Sequence, residues 1–173
     1  MITLEPRSAP GGGAMPMAPD GPAAPPSVAL DSRIRAESIA WLTTVSSGGR
    51  PHIVPIWFAW DGREFLFFTK PGAKKVGNIR SNPAVMLALG DPEADFDVLL
   101  VEGLAVVLGS STRDLAPPTF FLGYAERMAA IGLSRHEFLA TYSLAIHMRP
   151  TRYLGWAGRS HLGERRLQVP GAG

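Results

Sequence analysis

The residues best placed to do chemistry form the run Thr69-Lys70-Pro71-Gly72-Ala73-Lys74-Lys75-Val76-Gly77-Asn78. Lys70-Pro71-Gly72 marks a turn, and the segment after it reads as a helix from about Ala73 to Arg80. It stops at Asn82-Pro83, because a residue before proline avoids helical angles. Lys74 and Lys75 then fall in the first turn, where the positive end of the helix dipole favours acids and disfavours cations. A bound anion removes the conflict. Free N–H groups at the helix start, Lys74, Lys75 and the Thr69 hydroxyl would together suit a phosphate or phosphodiester. The alternative is a basic helix start neutralised by solvent alone.

A second feature is the extended run Arg50-Pro51-His52-Ile53-Val54-Pro55-Ile56-Trp57-Phe58-Ala59-Trp60. Strand alternation sends His52, Val54, Ile56, Phe58 and Trp60 to one face and Ile53, Pro55, Trp57 and Ala59 to the other. Both faces are apolar, so both need cover: a barrel core on one side, a partner subunit or a flat ligand on the other. Pro55 removes a ladder donor, which places the strand at an edge, at a bulge or against a ligand. A buried strand in a dimer seam accounts for the same pattern.

Other chemistries find no support. The four histidines, His52, His136, His147 and His161, share no ligand spacing, and with no cysteine there is no thiolate metal site, disulfide or thiol nucleophile. Neither a Gly-x-Ser-x-Gly elbow nor a phosphate-binding Walker loop is present. Asp91, Glu93, Asp95 and Asp97 read as one solvated loop.

The chain of 173 residues suits one compact domain. A net charge of +2 gives no reason to propose nucleic-acid binding. No apolar run approaches the roughly 20 residues that span a bilayer, so a soluble, cytoplasmic protein is expected. Residues 1–27 hold seven prolines and four glycines and are expected to be a disordered tail. Residues 28–158 form the folded domain and 159–173 a C-terminal tail. After a helix capped by Ser27 or Asp31, with Ile34, Ile39 and Leu42 on one face, strands are expected at Trp41 to Ser46, Pro51 to Trp60 and Glu64 to Thr69. Two more follow at Ala84 to Leu89 and Asp97 to Leu108, with a bulge or corner at Gly103. Pro117 to Thr141 reads as one or two helices, and Ser143 to Met148 and Thr151 to Trp156 as strands. Consecutive hairpins with few crossover helices argue for a mainly β fold, an antiparallel barrel of six to seven strands with external helices.

Taken together, Gly49-Arg50-Pro51-His52 to Pro55-Ile56-Trp57-Phe58, Asp61-Gly62, Lys70 to Pro83, Val101-Glu102-Gly103-Leu104-Ala105 and Arg149-Pro150-Thr151-Arg152 resemble the pyridoxamine-5′-phosphate-oxidase-like split β-barrel superfamily. Within it the likeness is to the actinobacterial flavin- and deazaflavin-dependent oxidoreductases, over roughly Ser38 to Trp156. The resemblance implies an FMN-binding split barrel of Greek-key topology. It also implies a homodimer with an isoalloxazine or deazaflavin ring in a cleft between subunits, along His52, Ile53, Val54, Pro55, Ile56 and Trp57. Phe68 and Thr69 match an aromatic-threonine pair that contacts the cofactor. Lys74 and Lys75 match a basic pair at the phosphate, and Asn78 belongs to the same motif. His52 and Trp57 stand where oxidases of pyridoxamine phosphate carry an arginine and a lysine, and the Arg-Leu-His ending is absent. Oxidation of a vitamin B6 phosphate is therefore not implied. The deazaflavin coenzyme F-420 is the first choice of cofactor and FMN the second.

The implied activity is hydride transfer between that ring and a small organic acceptor, with a non-catalytic carrier as the alternative. The pattern assigns no catalytic residue. Tyr124 and His147 are candidates for a proton donor, each more simply read as a packing or surface residue.

Overall fold

The computed structural model of the protein describes residues 24–91 and 97–156. The expected tails therefore lie largely outside the described residues, as do the acids Glu93 and Asp95. Helix α1 (Val28–Ala36) starts at Ser27, whose hydroxyl accepts from the Leu30 amide, and carries Asp31 in its first turn and Arg33 and Arg35 in its last. Charge and dipole agree at both ends. The helix buries Ile34 completely. The expected helical stripe goes no further, because Leu42 belongs to a strand.

Seven strands follow: β1 (Ala40–Val45), β2 (Pro51–Ile56), β3 (Phe58–Trp60), β4 (Phe65–Thr69), β5 (Ala84–Asp91), β6 (Asp97–Ser111) and β7 (Leu144–Trp156). Every pairing is antiparallel, in the order β2-β1-β5-β6-β7-β4-β3. The run Pro51 to Trp60, expected as one strand, is two. β2 and β3 occupy opposite edges of the sheet, yet only Trp57 separates them in sequence. Two Cα steps reach less than about 8 Å, so the sheet must curl until its edges meet. That is the expected barrel, closed at Trp57 by the chain itself.

In the other direction, the two strands expected around Pro150 are one. Thr151 is the extra residue: Glu102 lies opposite Arg152, while Gly103 lies opposite Pro150. This is the irregularity expected at Gly103. A Cβ there would sit 2.5 Å from the Arg149 carbonyl oxygen, which explains the glycine.

Inside the curl, Leu42, Phe65, Phe67, Leu87, Leu99, Val101, Ile146 and Met148 are buried, with Ile34 and Ile79 among them. Helix α2 (Lys74–Ser81) packs over β1 and β6. A second apolar cluster lies outside the barrel. The helices α3 (Thr112–Leu115), α4 (Pro118–Gly123), α5 (Ala125–Ala130) and α6 (Arg135–Thr141) bring Phe120, Phe121, Tyr124, Met128 and Phe138 onto Phe68 and Ala145. Phe67 and Phe68 are adjacent and face opposite ways, but both are buried because each face of β4 is covered at that point. Asp97, expected in a solvated loop, pairs with Arg33 at 2.5 Å.

Candidate functional site

Helix α2 begins as the sequence suggests. Its N-cap, Ala73, offers no side-chain hydrogen bond, and no acid stands in the first turn. Successive helical residues point about 100° apart, so Lys74 and Lys75 cannot share a direction. Lys74 is exposed, whereas Lys75 is half-buried and turns toward the end of β4. Its Nζ donates to Thr69 Oγ1 at 3.2 Å, and Thr69 is itself only 2% exposed. Among the described residues no carboxylate lies within 4.0 Å of that ammonium. Burial pushes the Lys75 pKa below the ordinary lysine value. Of the residues expected at an anion site, Lys75 and Thr69 are brought together, while Lys74 is exposed and does not line the cavity that Lys75 lines.

Lys75 lines a cavity of about 290 Å³. Pro55, Ile56 and Trp57 form one wall, at the seam where β2 ends. Phe68 comes from β4, and Ile131, Leu133, Phe138 and Tyr142 come from the helical cap. Four of the expected positions, on β2, at the seam and on β4, therefore converge with Lys75: Pro55, Ile56, Trp57 and Phe68. His52, Ile53 and Val54 lie farther up β2 and do not line this cavity. Asn78 is buried and donates from Nδ2 to Thr44 Oγ1 at 2.9 Å, tying α2 to β1. It positions the helix that carries Lys75. Residue patterns pointed to Ile131 and Phe138 only as helix core. Nothing local in the sequence places them opposite Trp57, because a chain segment of more than 70 residues intervenes.

Trp57 is held by stacking. The Tyr124 ring lies 4.8 Å away at 16°, and the Phe138 ring 6.3 Å away at 10°. The Tyr124 hydroxyl accepts from the Phe58 amide at 3.1 Å and lies 2.8 Å from the Ser38 carbonyl and 3.1 Å from that of Phe58. It replaces a strand neighbour for the open edge of β3, and its proton is held by backbone carbonyls. Burial raises its pKa, with the bond to Phe58 opposing. His147 is equally removed from the cavity. Its Nε2 stands 2.7 Å from Glu64 Oε2, over a different groove. Neither proton-donor candidate faces the Lys75 cavity. A flat aromatic molecule bearing an anionic group matches what the cavity offers: apolar walls and one unneutralised, partly desolvated ammonium.

Among the described residues no helix is long and apolar enough to cross a membrane, and no group of three or more histidine, cysteine, aspartate and glutamate side chains could hold a metal. No curated protein is significantly similar to the chain. Solved structures are. A protein related to general stress protein 26, of the pyridoxinephosphate oxidase family, from Clostridium acetobutylicum is 16% identical with a TM-score of 0.59; the match covers 82% of this chain and 93% of that one. The heme storage protein HutZ from Vibrio cholerae is 14% identical with a TM-score of 0.53, over 77% and 96% of the two chains. An F-420 reductase is 27% identical with a TM-score of 0.49, over 66% and 87%. The model of the pyridoxamine 5′-phosphate oxidase family matches residues 28–132, more than half of the sequence. The curled antiparallel sheet with its seam at Trp57 is that family's split barrel, and the chain belongs to the pyridoxamine 5′-phosphate oxidase family.

Proposed function

We propose that the protein is an oxidoreductase that holds a deazaflavin, coenzyme F-420, or else FMN, and passes a hydride between it and a small organic acceptor. The observation that carries this reading is Lys75, an ammonium without a carboxylate partner among the described residues, set in an aromatic and aliphatic slot beside Thr69. Such a group is costly unless an anion joins it. Lys75 and Thr69 would bind the negative group of the cofactor. Pro55, Ile56 and Trp57 would lie along its ring, and Phe68 and the α5–α6 residues would exclude water. The bound ring supplies the hydride chemistry; the chain supplies orientation and a dry wall. The preference for the deazaflavin rests on the sequence resemblance and on the missing polar grip at His52 and Trp57.

A homodimer completes the reading. The outer face of β1 and β2 presents Trp41 at 48% and Ile53 at 57% exposure, with Pro55 opposite Trp41. A contiguous apolar band of this kind suits a second copy of the chain, with each cavity at the rim of the interface. A second reading, a carrier without turnover, is favoured by one observation: among the described residues, Lys75 is the sole acidic or basic side chain lining the cavity.

Parallel titration with coenzyme F-420 and with FMN, followed by ring fluorescence and thermal shift, tests cofactor choice. Adding the reduced deazaflavin with enones, quinones or tetrapyrroles and following its absorbance separates enzyme from carrier. Lys75→Met should weaken binding of either cofactor by about tenfold or more, as expected for loss of a charge-assisted bond. It should also stabilise the empty protein. An unchanged dissociation constant would remove Lys75 from the site.

A further inference from the structure

We propose that the groove between the C-terminal end of α1 and helix α4 is a second binding site, for an organic cation with an apolar body. It is independent of the cofactor reading. The groove encloses about 900 Å³, within the range of small-molecule sites. Its floor is the outer face of the barrel. Register pairs Leu66 with His147 and Phe68 with Ala145, and all four side chains point outward. The helices cover Phe68 and Ala145 but stop short of Leu66 and His147, which are left half-buried beside Ala59 and Leu108. This is sheet surface patterned for contact, and no element of the described fold covers it.

The groove and the Lys75 cavity are back to back. Trp57 lines one and Tyr124 the other, with their rings stacked at 4.8 Å; Phe68 and Phe120 meet across the same wall at 5.0 Å. One aromatic layer therefore divides an electropositive cavity from a groove of opposite sign.

That sign comes from the rim. Among the described residues, the titratable groups facing the groove are Arg35, Glu37, Asp61, Glu64, His147 and the Tyr124 phenol, whose hydroxyl is held by backbone. Three acids stand against one arginine and the His147 imidazole, and the Arg35 guanidinium is already taken by Asp31 at 2.8 Å. Arg127, at the margin, is bonded to Ser38 Oγ. Glu64 has His147. Glu37 and Asp61 have no cationic side chain within 4.0 Å among the described residues. Asp61 Oδ1 accepts the Arg63 and Glu64 amides, which fixes one carboxylate oxygen at the rim, and the Arg35 guanidinium acts on its charge only from beyond ion-pair distance. A low-dielectric floor under a rim in which acids outnumber cations concentrates the opposite ion and repels its own. An amine or quaternary ammonium with an aliphatic or aromatic body meets both demands, and an anionic amphiphile meets only one.

Isothermal titration of the full chain with octyltrimethylammonium and with octanesulfonate, below micellar concentrations, tests the site. The cation should bind about tenfold tighter than the anion, and the gap should narrow in high salt. Glu37→Gln combined with Glu64→Gln should reduce the difference to about threefold or less. Lys75→Met removes the ammonium that could hold the sulfonate in the other cavity, so the cation preference should persist or widen in that variant, and cofactor titration of the same samples reports that cavity separately. Equal affinity for the two probes, no binding of either, or a preference that survives loss of the rim acids would overturn the proposal.

Discussion

Replacing Tyr124 with phenylalanine removes one oxygen and leaves the ring. In the structure that oxygen serves three backbone groups, the Phe58 amide and the carbonyls of Phe58 and Ser38, at 2.8–3.1 Å. The Phe58 amide faces the open edge of β3 and is buried, so its lost partner is not replaced by water. An orphaned buried donor costs about 1–3 kcal/mol. The Ser38 carbonyl is only partly buried and can be rehydrated, so it adds little. Stacking on Trp57 survives in the variant, and its contribution is retained. The sum is about 1–3 kcal/mol of lost stability, or roughly 2–12 °C in Tm for a chain of this size. Urea unfolding followed by far-ultraviolet circular dichroism measures it as a lower midpoint at unchanged slope. Amide exchange gives a second, local readout: the Phe58 N–H should lose protection beyond the global change. A stability within about 0.5 kcal/mol of the wild type, or a Phe58 amide exchanging as before, would refute the idea that Tyr124 closes the barrel seam.

Further outcomes can be checked by similar means. Gly103→Ala sets a Cβ 2.5 Å from the Arg149 carbonyl, which belongs to backbone and cannot swing away; thermal unfolding should show a loss of about 1–3 kcal/mol. Gly77→Ala meets no atom within 4 Å on helix α2 and should stabilise by about 0.5–1 kcal/mol in the same assay. Tyr153 is 5% exposed, and burial, with a smaller push from Asp31, raises its pKa to about 12. A phenol raised above its unfolded value of about 10 contributes stability that is whole below that pH and is lost as pH climbs toward 12. Tyr153→Phe should flatten that alkaline loss, read from urea midpoints across the window. Trp41→Glu should shift sedimentation from dimer to monomer and weaken cofactor binding with it; a dimer that persists would move the interface elsewhere.

Much of the barrel was legible along the chain because its signals are local. Alternation along Ala84 to Leu89 and Asp97 to Leu108, the turn at Asp61-Gly62, the stop at Asn82-Pro83 and the glycine at 103 each act within a few residues, and each stands where the pattern put it. The Thr69–Lys75 pair is of the same kind: a strand end, a tight turn and a helix start bring the hydroxyl and the ammonium together with no help from distant chain.

Three-dimensional closure decided the rest. Pro51 to Trp60 carries one unbroken alternation, and nothing within it reveals that β2 pairs with β1 while β3 pairs with β4 on the far edge. Two adjacent lysines on a helix must diverge, but only the packing of Val76 and Ile79 into the barrel settles that Lys75 turns inward. The cavity wall from Ile131 to Tyr142, the ring stacked on Trp57 and the groove behind it all depend on helices docking onto strands far away in the chain. Local sequence specifies which face of an element is apolar. Which other face it meets is set by filling the whole core at once.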